Sequence, residues 1–127
     1  MKLSRRLLMR IGCICIAALL LCQGCDDDDY LDHNPPEGQG SIVVDNLTAI
    51  DFELFVDGEF IAEVDGGRER IVDVDTGIRR VVLDDSDDIV GSFREDIDVL
   101  EGRLTILRVY PETTGPAPGY VVTIEFD

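Results

Sequence analysis

Residues 51–64 read DFELFVDGEFIAEV. Phe52, Leu54 and Val56 alternate with Asp51, Glu53 and Asp57, and beyond Gly58 the pattern resumes as Phe60, Ala62 and Val64 between Glu59 and Glu63. A period of two marks half-buried strands, and Asp-Gly between two such runs marks a hairpin. The apolar residues are even-numbered on both sides of the turn, so facing them across the hairpin requires an odd loop. The pattern predicts a three-residue loop, Val56-Asp57-Gly58, with Gly58 left-handed in a bulge; a plain two-residue turn would set Leu54 beside Ile61.

The same period runs outward in both directions. Tyr120, Val122, Ile124 and Phe126 alternate with Thr123, Glu125 and Asp127, and strands are predicted near 41–46, 51–56, 59–64, 70–75, 78–84, 93–100, 103–110 and 120–126. Around Glu101-Gly102 the parity reverses, because Ile97 and Val99 are odd while Leu104 and Ile106 are even. That predicts a two-residue hairpin loop pairing Val99 with Leu104, Ile97 with Ile106 and Glu95 with Arg108. Seven or eight short strands without an amphipathic helix predict an all-β chain, a small antiparallel two-sheet β-sandwich over residues 41–127.

The first 24 residues differ in kind. They hold Lys2, Arg5, Arg6 and Arg10 and no acid, and an uncharged run of 15 residues follows from Ile11 to Cys25. A bilayer core requires about 20 residues. A basic start, an apolar run and a small residue before the break predict a signal peptide over 1–24 that is removed. Ser4-Arg-Arg-Leu-Leu-Met-Arg10 also resembles a twin-arginine signal, so the general secretory and twin-arginine routes both stay open. Cys13, Cys15 and Cys22 go with the leader, which leaves Cys25 without an intramolecular disulfide partner.

Leu21-Cys-Gln-Gly-Cys25 resembles the lipobox of bacterial lipoproteins. The resemblance implies that Cys25 becomes the N-terminus and is acylated, by palmitate or a similar chain, so that the membrane is the first partner. Acyl chains contribute about 0.8 kcal/mol per buried CH₂, and two or more make a stable anchor. The implied location is the cell membrane or outer membrane, lipid-anchored and facing periplasm or exterior. Residues 26–40, DDDDYLDHNPPEGQG, are acidic and rich in Pro and Gly, so 25–40 is predicted to be a lipidated cysteine followed by a flexible acidic tether, with the single histidine, His33, solvated in it.

Charge excludes one class of partner. Beyond the leader, seven arginines stand against 27 acids, a formal charge of −20. Nucleic-acid affinity comes largely from Lys and Arg displacing counterions, so nucleic acid is excluded. The chemistry of catalysis is thin as well. Ser41, Ser86 and Ser92 have only a tether histidine to serve as base, and zinc lacks Cys and His ligands. One constellation suits a hard cation: Asp84, Asp85, Asp87 and Asp88, a weak Ca²⁺ site or a plain solvated loop. Asn46-Leu47-Thr48 is a formal glycosylation sequon, read as unused.

Ser41-Ile-Val-Val44, then Leu54-Phe-Val-Asp-Gly58, then Asp75-Thr-Gly-Ile-Arg-Arg-Val-Val-Leu83 together resemble the PEGA-type surface domains, in which a Val-Asp-Gly hairpin precedes a Gly-x-x-x-Val-x-Leu strand. The resemblance covers roughly residues 45–110 and implies a β-sandwich module of the cell envelope without catalysis. The expected function is therefore a membrane-anchored lipoprotein whose non-catalytic β-sandwich binds or assembles with an envelope protein, with no cofactor. The alternative is a Ca²⁺-dependent structural or adhesive surface protein.

Overall fold

The computed structural model describes residues 29–127; Lys2, Arg5, Arg6, Arg10, the rest of the predicted leader and Cys25 lie outside the described residues. A short 3-10 helix, Asp29–Asp32, precedes eight strands: β1 (Gln39–Asn46), β2 (Phe52–Val56), β3 (Glu59–Val64), β4 (Glu69–Asp75), β5 (Gly77–Asp85), β6 (Phe93–Val99), β7 (Leu104–Glu112) and β8 (Gly119–Phe126). Each lies within a few residues of a predicted strand. They form two four-stranded sheets, β4-β1-β7-β8 and β3-β2-β5-β6, a two-sheet β-sandwich. Among the described residues, no helix is long and apolar enough to cross a membrane.

Every pairing is antiparallel except that of the two central strands of the first sheet, β1 and β7. These two are also the strands buried on both faces, which is why they read as near-continuous apolar runs. Their inward residues, Ile42, Val44, Leu107 and Val109, meet Phe52, Leu54, Val81, Leu83, Ile97 and Val99 of the second sheet in the main core. Their outward residues, Val43, Leu104 and Ile106, form a second, smaller core under Tyr30.

Three expectations are corrected. In the β2–β3 hairpin the loop is a two-residue turn, with Asp57 and Gly58 both at positive φ (52° and 84°) and Val56 opposite Glu59. Such a turn twists with the flanking strands, and Asp-Gly is among the few pairs that adopt it cheaply. Even–even pairing is restored further along, where the register shifts and Ile61 stands as the extra residue, so that Leu54 faces Ala62 and Phe52 faces Val64. Phe60, on the turn side of that bulge, pairs with Phe55 outside the core, their rings edge-to-face at 5.7 Å.

The predicted β6–β7 hairpin does not form. Leu100 to Arg103 make a turn, closed by Arg103 N–H on the Leu100 carbonyl at 3.2 Å, but it carries the chain from one sheet to the other. Val99 enters the main core while Leu104 enters the second one, so they share no face, and Glu95 lies opposite Val81 rather than Arg108.

The predicted flexible tether is, from Tyr30 on, part of the fold. Tyr30 is fully buried against Val43, Leu104 and Ile106. Pro36 accepts from Gln39 N–H at 3.0 Å, and Gly38 N–H donates to Glu101 at 2.8 Å. The polar composition of the segment concealed one aromatic ring, and burying a side chain of that size contributes about 1.5–3 kcal/mol.

Candidate functional site

The strap of residues 30–40 crosses the outer face of the first sheet and is pinned at both sides. Arg108, on β7, donates through Nη2 to the Tyr30 hydroxyl at 2.9 Å, while its Nη1 lies 3.5 Å from Glu125 and its Nε 3.6 Å from Asp45. That Nε is buried and has no hydrogen-bond partner. The Tyr30 hydrogen bond, first among several causes, raises the guanidinium pKa, and burial opposes it. At the β4 side His33 Nε2 lies 2.7 Å from Asp73 Oδ1, an oxygen that also accepts from Ser41 Oγ. Burial pushes the Asp73 carboxyl up, but these two hydrogen bonds outweigh it and hold it below the usual range.

Serine, aspartate and histidine thus meet, but in an order that does not activate a nucleophile. In a hydrolytic triad the imidazole stands between serine and carboxylate and takes the serine proton. Here Asp73 stands between them, and Ser41 is fully buried. The contacts fasten the strap to β4.

The four aspartates of the 84–88 loop do not converge. Asp85 points inward from β5 and is 3% exposed. Its Oδ1 accepts from Asp87 N–H at 2.9 Å and its Oδ2 from Ile89 N–H at 2.7 Å and Val90 N–H at 2.8 Å. The Asp87 amide lowers its pKa most, desolvation opposes this, and the Val90 and Ile89 amides add to the lowering. Both oxygens are occupied in shaping the loop. Asp84, the next residue back on the strand, projects to the opposite face, and Asp87 and Asp88 are exposed. Among the described residues, the acidic group whose ligand atoms do come together, within 4.8 Å, is Asp51, Glu63 and Asp65. Residues 51 and 65 flank the β2–β3 hairpin and 63 lies in it, so the hairpin register that parity misplaced is what assembles the group. All three are exposed, and Asp51 already accepts from Gly66 N–H at 2.8 Å.

Asn46 of the sequon is fully buried. Its Nδ2 donates to the carbonyls of Ile50 (2.6 Å), Val64 (3.3 Å) and Asp65 (3.2 Å), and its Oδ1 accepts from Thr48. It ties the end of β1 to the end of β3 and cannot serve as an acceptor for sugar in the folded chain.

On the flank where β6 and β8 end their sheets, a groove of about 520 Å³ is lined by Val90, Phe93, Glu112, Tyr120 and Val122, among others. Tyr120 packs edge-to-face on Phe52 with ring centres 4.9 Å apart and donates its hydroxyl to the Gly91 carbonyl at 3.1 Å. The inward residues of β8 that line the groove, Tyr120 and Val122, are only partly covered, and beyond it, at the far end of the strand, Phe126 is 64% exposed. Sequence alternation placed those residues on one face; it carried no signal that the face lay at an uncovered edge. No protein-family model matches this chain, and no curated protein matches it.

Proposed function

We propose that this chain is a lipoprotein of the cell envelope, acylated at Cys25, whose β-sandwich is a non-catalytic binding or assembly module held close to the bilayer. One observation carries the second half of this reading. Tyr30 is locked into the first sheet, so only the five residue steps from Cys25 to Tyr30 remain to span the distance from membrane to domain. Fully extended, they reach roughly 17 Å. A free tether to the start of β1 would reach about three times as far. A module held at that height meets partners in or on the same membrane. The acidic surface and the aspartates after Cys25 keep it in water, off anionic headgroups.

Two measurements test the reading separately. Cys25→Ser should move the chain from the membrane fraction to the soluble fraction and abolish labelling with a palmitate analogue; retention of both membrane association and labelling would remove the anchor from the proposal. Crosslinking of the tagged chain in intact cells should give a membrane protein in near-equal amount, an outcome absent for an isolated surface module.

A second reading, a Ca²⁺-dependent structural or adhesive surface protein, draws on Asp51, Glu63 and Asp65 rather than the 84–88 loop. Its test is a melting curve with calcium and with chelator, run also on Glu63→Gln. A calcium-dependent rise in Tm that this substitution removes supports it, and an unchanged Tm at millimolar calcium excludes it.

A further inference from the structure

A strand at the edge of a sheet presents unpaired N–H and C=O groups, and soluble proteins blunt such edges with charges, bulges or cover. Three of the four edges here carry such devices. β3 has the bulge at Ile61 with Glu59 and Glu63. β4 carries Glu69, Arg70, Asp73 and Asp75, and the strap reaches it through His33 and Gln39. β6 carries Arg94, Glu95, Asp96 and Asp98.

β8 is the least protected of the four. It runs eight residues in unbroken register with β7, from Gly119 opposite Glu112 to Phe126 opposite Thr105. Glu125 is its one charge, and Val121 and Phe126 are 49% and 64% exposed. It is long and regular, its inward face is wholly apolar (Tyr120, Val122, Ile124, Phe126) and its outward face carries Val121, Thr123 and Glu125, and among the described residues no strand pairs with it on the side away from β7.

We propose that β8 pairs antiparallel with β8 of a second copy of this chain, about an axis through Thr123, joining two first sheets into one of eight strands. The sequence of β8 is self-complementary in that register. Thr123 meets Thr123, Val122 meets Ile124, Val121 meets Glu125 and Tyr120 meets Phe126. The even-numbered pairs lie on the inward face and cover the half-exposed apolar stripe; aromatic, β-branched and Thr–Thr pairs are the favourable cross-strand contacts. Glu125 never faces its own copy. A shift by two residues, centred on Val122, puts Phe126 opposite Pro118, beyond the end of the strand. A two-fold contact of this kind closes on itself and does not propagate. It depends on the edge alone and stands whether or not Cys25 is acylated. Because both copies are strongly acidic, the pairing should tighten as salt rises, the reverse of an association driven by opposite charges.

The test uses the full chain carrying Thr123→Cys, treated with mild oxidant, beside Asp98→Cys on β6 and the parent chain, which accounts for the native cysteines. Pairing holds the two residue-123 thiols at high effective concentration within disulfide reach, so at least about tenfold more reducible dimer is expected than from Asp98→Cys. Thr123 is exposed and lies opposite Arg108 on β7, so Thr123→Glu sets an opposite charge beside that guanidinium within the chain and two like charges across the axis. In sedimentation it should shift a parent dimer to monomer. Equal crosslinking at 98 and 123, a parent that stays monomeric from low to high salt, or a crosslink from residue 123 to a protein of different mass would each overturn the proposal, the last by assigning the edge to another partner.

Discussion

Arg108 donates a hydrogen bond of 2.9 Å to the hydroxyl of Tyr30, 78 residues away in sequence, across the outer face of the first sheet. One residue lies in what composition marks as a linker and the other in a central strand, and their contact fixes the hydroxyl end of the ring that the second core is built under. Tyr30→Phe keeps the ring and loses the bond, and should cost about 1–2 kcal/mol in urea unfolding of residues 25–127 bearing Cys25→Ser. Tyr30→Ala also empties the second core and should cost about 3–5 kcal/mol. A double-mutant cycle of Tyr30→Phe with Arg108→Met should show coupling above roughly 0.5 kcal/mol, and a cycle of Glu95→Gln with Arg108→Met should show none. Coupling in the second cycle would restore the β6–β7 hairpin that the structure lacks.

Deleting Ile61 should be tolerated. A one-residue deletion in a strand ordinarily moves every later side chain to the other face. Here Ile61 is the extra residue between the Phe55–Phe60 and Leu54–Ala62 pairs, so its removal leaves both pairs in place and a regular hairpin behind. The deleted chain should give an unchanged far-ultraviolet circular dichroism spectrum and lose no more than about 1–2 kcal/mol, a bulge site being locally adjustable. Loss of cooperative unfolding would show that the bulge has a further role.

Acid should unfold the domain in part through Asp85. Its three amide contacts hold the carboxyl below the ordinary value, near 3.9, that it takes in the unfolded chain. A depressed folded-state pKa contributes stability that is complete above the unfolded value and lost as pH falls through the folded one. Tm should therefore stay level from pH 7 to about 5 and fall below about 4. Asp85→Asn should start lower at pH 7 and fall less steeply between pH 4 and 2. Parallel curves for the two chains would place the acid sensitivity elsewhere, Asp73 being the next carboxyl to replace, since its contacts to Ser41 and His33 act in the same direction.

Gly40→Ala should be among the most damaging of small substitutions. A Cβ at residue 40 would lie 2.7 Å from Val99 Cγ1 and closer still to the Leu100 carbonyl oxygen, where β1 passes the turn between the sheets. Backbone atoms on one side leave little room to yield, and overpacking of that kind costs about 1–3 kcal/mol. A Tm within a degree of the parent's would show that the turn can move.

Local pattern by itself determined the eight strands, the all-β class and the even–even facing of Leu54 with the β3 residues, because alternation and turn chemistry act over a few neighbouring residues. The proposal of a leader and of Cys25 as its anchor rests on covalent chemistry and composition alone, outside the described residues. Tertiary structure alone decided which strands pair and which face of each is covered. Leu104 and Ile106 alternate as a core face should, and they are in a core, but it is the one under Tyr30 and not the one that holds Ile97 and Val99. Period two tells which side chains share a face and is silent on what lies against it. The same limit explains the carboxylates. Asp84 and Asp85 are adjacent in sequence and project to opposite faces of β5, whereas Asp51, Glu63 and Asp65 are joined only by the register of a hairpin, whose bulge no count of residues could place.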